Sequence, residues 1–159
     1  MGLYTSLVSS WLFPLHERLK RHDSVVVRRE LEASQWWGAE RIEALQVERL
    51  RALLQDVAMH VPYYRELFAR HAFDPAAVRG LADLRRLPFL TKSDIRAHTE
   101  ALKHTHARDL VKFSTGGSTG APLIFFIGNE RISHDVAAKW RATRWWGVDI
   151  GDPEIVVWG

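Results

Sequence analysis

The chain contains no cysteine among its 159 residues, which excludes a disulfide framework, a thiolate nucleophile and any cysteine-based metal site. Its eight histidines show neither an H-E-x-x-H pattern nor a Cys/His ligand spacing, so no metal ligand is expected. Long apolar runs are missing too: nothing approaches the ~20 residues that span a bilayer. The start Met1-Gly2-Leu3-Tyr4-Thr5 has neither a basic leader nor a clean cleavage site, and a cytoplasmic location is the expectation. There is no internal repeat. What is present is 47% hydrophobic residues with 22 Lys+Arg against 19 Asp+Glu, enough for a globular domain with a real core or for part of a larger one. The net charge of +3 favours polyanions only weakly, and without an RNA-binding aromatic motif or a helix-turn-helix signature nucleic acid is not an expected partner.

The most informative stretch is Phe113-Ser114-Thr115-Gly116-Gly117-Ser118-Thr119-Gly120-Ala121-Pro122, which packs three glycines and four hydroxyls into one uncharged loop. Glycine permits positive φ and close approach of the backbone to a ligand, so successive N–H groups can converge on an anion with Ser and Thr hydroxyls as further donors. Its flanks, Leu110-Val111-Lys112-Phe113 and Leu123-Ile124-Phe125-Phe126-Ile127, read as strands, the second buried on both faces. The loop therefore joins strand to strand. That excludes a Walker A loop, which opens a helix and needs a lysine where Ala121 stands, and it excludes the dinucleotide fingerprint, because Gly116 and Gly117 are adjacent. On composition alone, a phosphate-binding loop and a plain flexible turn both remain open.

Helices fill the first half. Leu3, Leu7, Val8, Trp11 and Leu12 share a face before Pro14, and Leu50, Leu53, Leu54, Val57 and Val61 recur at helical spacing until Pro62; both faces call for a partner. Thr91 with Asp94 three residues on forms a capping box for a further helix. Another helix runs from Asn129 or Glu130 to about Trp146, with Ile132, Val136, Trp140 and Thr143 along one side. After the turn Gly151-Asp152-Pro153, the run Glu154-Ile155-Val156-Val157-Trp158 reads as a strand that needs neighbours on both edges, of which this chain offers few beyond the pair around the loop, so the sequence is expected to be the front part of a larger protein.

Four ordered motifs make a resemblance specific: Gln46-x-x-Arg49-Leu50, then Val61-Pro62-Tyr63-Tyr64-Arg65, then Leu87-Pro88-Phe89-Leu90-Thr91-Lys92-Ser93-Asp94-Ile95, then Ser114 through Leu123. In this order, from about Trp36 to Gly159, the chain resembles the amino-terminal region of the phenylacetate-CoA ligase family, and within it the CapK-like branch linked with capsular polysaccharide genes. The resemblance implies a mixed α/β fold: a helical amino-terminal extension over residues 1–35, then the truncated beginning of an adenylate-forming, AMP-binding large domain over residues 36–159. It implies ATP and Mg²⁺, possible use of coenzyme A, and a small-molecule carboxylate as substrate. By position, Ser114, Thr115, Gly116, Gly117, Ser118, Thr119 and Gly120 carry over to the family's phosphate loop, with Ser118 and Thr119 as the hydroxyl donors. Leu123 stands where many relatives have lysine, leaving Lys112 or Arg131 as nearby cations. The family's adenine, ribose and magnesium-binding groups and its catalytic lysine all lie downstream, so no catalytic residue and no metal ligand is assigned. The remainder of the enzyme, in cis or as a separate chain, is an implied partner.

Other conspicuous residues have plainer readings. Trp36, Trp37, Trp140, Trp145 and Trp146 read as core or domain-interface packing. His104 and His106 read as a solvated connection rather than a metal pair. Arg18, Lys20, Arg21, Arg28 and Arg29 flank the first helix and form either a solvated face or a peripheral contact to an anionic membrane. Two functional classes result: the amino-terminal part of a carboxylate-activating ligase, or a non-catalytic piece, whether an inactive remnant or a basic binding module.

Overall fold

A computed structural model describes residues 2–115, 122–155 and 157. The elements follow in the order α1 (Leu3–Leu7), a π turn (Val8–Leu12), α2 (Phe13–Leu19), α3 (Ser24–Ser34), α4 (Ala39–His60), α5 (Pro62–Arg70), two 3-10 turns (Pro75–Ala77 and Leu81–Arg86), α6 (Lys92–Ala97), β1 (Val111–Ser114), β2 (Ile124–Ile127) and α7 (Asn129–Arg144). They group into two compact units, Met1–Trp36 with Asn129–Gly159, and Trp37–Gly128. Helix predominates, and the β content among the described residues is one two-stranded antiparallel sheet.

In the first unit, helix passes straight through Pro14 instead of stopping there. The Phe13 N–H bonds to the carbonyl of Val8, five residues back, and this wider turn relieves the contact between the proline ring and the preceding turn that normally breaks a helix. The face expected to pack inward is also reversed. Thr5, Ser9 and Glu17 are buried, whereas Leu3, Leu7, Trp11 and Leu12 are exposed. The inner polar groups have partners that set this orientation: the Thr5 hydroxyl donates to Asp152 at 2.6 Å, and Glu17 accepts from the Ser24 hydroxyl at 2.7 Å. A buried polar group so bonded is tolerated; unbonded it would not be.

The core of this unit lies where α3 meets α7. Ser24, Ser133 and Ala137 at this contact are buried, together with Val27 and Trp140. The inward face of α7 is thus Ser133, Ala137 and Trp140, one residue displaced from the anticipated Ile132 and Val136, because small side chains permit close approach of the two helices. Trp140 alone among the five tryptophans singled out is a core residue; Trp36, Trp145 and Trp146 are exposed and Trp37 is half-buried beneath the Arg41 guanidinium, 3.4 Å from its ring centroid. The turn after α7 uses Gly151 at φ +99°, where a Cβ would come within 2.9 Å of Val8 Cβ. Beyond it the expected strand is absent among the described residues: Ile155 and Val157 are exposed, Glu154 pairs with Lys139 at 2.8 Å, and Val156, Trp158 and Gly159 lie outside the described residues.

The second unit is built on α4 and α5. Val61 between them is extended, as a residue before proline must be, and Pro62 then opens α5. Leu54, Leu67, Phe68, Phe73 and Val78 form the core, with Leu50, Val57, Tyr63, Tyr64 and Leu87 packed against it. Leu53 departs from the anticipated face and is exposed. Arg51 ties the segment after α5 to α4, donating from Nε and Nη2 to the Val78 carbonyl at 3.1 and 2.8 Å. The capping box of α6 forms as the sequence predicts, with Thr91 N–H to Asp94 Oδ2 at 2.9 Å and Asp94 N–H to Thr91 Oγ1 at 3.2 Å. Removing that cap by Thr91→Ala is expected to cost about 1 kcal/mol, read from urea denaturation. The Thr91 hydroxyl, and then the Thr91 N–H, hold the Asp94 carboxyl below its ordinary value. A carboxyl depressed in the folded state stabilises fully above its unfolded pKa and ceases to as pH falls through the folded one, so the variant's deficit should shrink in strong acid.

Candidate functional site

The loop singled out in the sequence is bracketed by a β-hairpin. β1 and β2 pair antiparallel in the register Val111↔Ile127, Lys112↔Phe126, Phe113↔Phe125 and Ser114↔Ile124, within one residue of the predicted strands. Past the last pair the chain is clasped twice more: Thr115 N–H donates to the Leu123 carbonyl at 3.0 Å, and Leu123 N–H donates to Thr115 Oγ1 at 3.1 Å. Of the seven predicted phosphate-loop residues, Ser114 and Thr115 stand at this clasp; Gly116, Gly117, Ser118, Thr119 and Gly120 lie outside the described residues. The Thr115 hydroxyl oxygen is therefore a structural acceptor, a role the sequence did not reveal, and its own proton remains available to donate. Ser114 is exposed.

The strands are less buried than expected. Val111, Phe113 and Ile124 are exposed, and Phe125, Phe126 and Ile127 are half-buried, since among the described residues the sheet has only two strands and both edges are unpaired. Against β2 lies an apolar cavity of about 290 Å³ whose walls include Ile95, Leu102, Leu110, Phe125 and Phe126. The Lys103 ammonium sits 4.1 Å from the Phe126 ring centroid. Of the two cations considered near Leu123, Lys112 is on β1 opposite Phe126 and exposed, while Arg131 belongs to α7 in the other unit and is paired with Asp135.

A second cluster joins residues far apart in sequence. Asp56 and His60, one turn apart near the end of α4, meet His104, and their ligand-type atoms lie within 4.8 Å of one another. His104 Nε2 is 3.4 Å from Asp56 Oδ2, and His60 Nε2 is 3.9 Å from Asp56 Oδ1. The loop is held to the helix by Thr105 N–H donating to the His60 carbonyl at 2.8 Å. His104 is thus half-buried and partnered, not merely solvated. Its Nδ1 accepts from the His106 N–H at 3.0 Å, which leaves the ring proton of the neutral imidazole on Nε2, facing Asp56. His104 and Asp56 are arranged as a hydrogen-bonded imidazole–carboxylate pair with His60 beside them; Nε2 of His104 would have to surrender that proton before serving as a ligand.

No helix among the described residues is long and apolar enough to cross a membrane. No protein-family profile matches the chain, whereas individual curated proteins do. A phenylacetate-coenzyme A ligase of Thermus thermophilus is 39% identical over 87 residues, 54% of this chain and 20% of that protein. One from Aromatoleum evansii is 27% identical over 132 residues, 82% of this chain and 30% of that protein. Protein CapK of Staphylococcus aureus is 26% identical over 93 residues, 58% of this chain and 20% of that protein. The chain spans only 20–30% of the length of these relatives. Covering 54–82% of this chain, the matches support a phenylacetate-CoA ligase-like family for it.

Proposed function

We propose that this chain is the amino-terminal part of an ATP-dependent carboxylate-activating ligase, with residues 1–35 as a helical extension and residues 36–159 as the beginning of its adenylate-forming domain. In the reaction a carboxylate oxygen attacks the α-phosphorus of ATP, the bond to the β-phosphate oxygen breaks, and an acyl adenylate and pyrophosphate result. A thiol, coenzyme A by analogy with the relatives' names, then displaces AMP from the acyl carbon. The observation that carries this reading is the coincidence of the family resemblance with the clasp at Thr115 and Leu123, which brings together the two ends of the Ser/Thr/Gly segment. On this reading Ser114 through Gly120 hold the β- and γ-phosphates, align the α-phosphorus with the carboxylate, and stabilise charge on departing pyrophosphate. Residues 110–128 contain no carboxylate, so this loop does not fit a Mg²⁺ site of its own, and no step here is assigned to the ion.

The test is carboxylate-dependent exchange of pyrophosphate into ATP across a broad panel of acids. The 159-residue chain alone is expected to give none, because substrate positioning requires groups it does not contain. A complete form, obtained by extending the reading frame or adding a partner chain, is expected to exchange with at least one acid. Exchange by the isolated chain would overturn the first expectation. Silence of the complete form with every acid would favour the inactive remnant and overturn the reading.

A further inference from the structure

The helical start of the chain is turned inside out. Along residues 3–19 the buried side chains are the polar Thr5, Ser9 and Glu17, while Leu3, Leu7, Trp11, Leu15 and Leu19 are between 53% and 94% exposed, and Tyr4 and Leu12 are exposed beside them. The five stripe residues step by four. In a regular α-helix each such step rotates by about 40°, so the row would wind nearly half-way round the axis. The wider π turn at Val8–Leu12 removes part of that drift and keeps the row on one side over roughly 24 Å. The arrangement is not a helix awaiting a better fit, because Thr5 and Glu17 on its inner side are already bonded to Asp152 and Ser24.

Charge follows the same division. Between residues 2 and 22 the single acidic residue is Glu17, and it is buried. Arg18, Lys20 and Arg21 are exposed and form no ion pair among the described residues. We propose that this helix lies in the plane of an anionic lipid surface, its Leu/Trp stripe at the boundary between headgroups and acyl chains and Arg18, Lys20 and Arg21 among the lipid phosphates. An exposed apolar row with Trp11 at its centre, Tyr4 beside it and a wholly basic end has the chemistry of an interfacial helix; a protein groove would not require the acid to be withdrawn. In-plane lodging also agrees with the absence, among the described residues, of a helix able to cross a membrane. The proposal stands apart from the ligase reading.

Vesicle flotation tests it, with phosphatidylcholine alone and phosphatidylcholine mixed with phosphatidylserine, using both the 159-residue chain and its complete form. Both are expected to float with the anionic vesicles, less so at high salt. Arg18→Gln/Lys20→Gln/Arg21→Gln should weaken that binding roughly a hundredfold. Trp11→Gln/Leu15→Gln/Leu19→Gln should abolish it with an unchanged far-UV circular dichroism spectrum, since all three positions are exposed. Flotation that both variants retain would overturn the proposal, as would no flotation of either form. Flotation of the short chain alone would assign the stripe to the rest of the enzyme, and a dimer that the stripe variant dissolves, without vesicle binding, would assign it to a second copy. Either result overturns the lipid proposal.

Discussion

If the proposed function holds, replacing Ser118 and Thr119 together with alanine in the complete form of the protein is expected to lower adenylation by roughly a hundredfold or more while weakening ATP binding far less. If these hydroxyls donate to phosphate oxygens chiefly as pyrophosphate departs, their loss falls on the transition state rather than on the bound nucleotide. One such donor in a preorganised site is worth about 2.7–4 kcal/mol. The hairpin explains why these two positions, and not Thr115, make the clean test. Thr115 Oγ1 accepts the Leu123 N–H at 3.1 Å, so Thr115→Ala would remove one of the clasp's two bonds and a hydroxyl at once, whereas Thr115→Ser keeps the oxygen and should leave activity close to wild type. Gly117→Val should be harsher than the double alanine variant, because a β-branched side chain resists positive φ and keeps phosphate away from the backbone. Steady-state pyrophosphate release measured beside ATP affinity separates these effects. Full turnover by the double variant would mean that the segment is only a turn.

Trp140→Ala is expected to destabilise the packing of α3 on α7 by about 3–5 kcal/mol, the cost of removing a buried tryptophan from a core. More than volume is lost. Trp140 Nε1 donates to Asp149 at 2.5 Å, and the Arg28 guanidinium lies 4.4 Å from its ring centroid. Asp149 is itself buried; it retains Arg144 and the Ile150 N–H at 2.8 Å, so the carboxylate is weakened and not orphaned. Trp140→Phe keeps most of the apolar contact and gives up the hydrogen bond, which should cost about 1.5–3 kcal/mol. Amide hydrogen exchange over residues 24–34 and 129–144 reads both variants. Unchanged protection in Trp140→Ala would show that the helix pair does not depend on this side chain.

Local chemistry was legible in the sequence wherever one short segment decides the outcome. The Thr91 capping box, the end of α4 before Pro62, the turn at Gly151 and the two strands around residues 116–121 all follow from bonds or steric limits between residues a few positions apart. The ordered motifs likewise sufficed to point to the family that the curated matches support.

Tertiary structure decided which side of each helix is inward, because burial depends on partners that spacing cannot identify. The apolar residues Leu3, Leu7, Trp11 and Leu12 do recur at helical spacing, but they lie outward on a helix that continues past Pro14: Asp152 and Ser24 satisfy Thr5 and Glu17 inside, and the leucines are left outside. The same reason moved the inner face of α7 onto Ser133 and Ala137, where α3 approaches closely. It also joined Asp56 to His104 across 48 positions of sequence and gave Thr115 its acceptor role opposite Leu123. A sequence states what each side chain can bond; only the folded chain brings the distant donor or acceptor within about 3 Å of it.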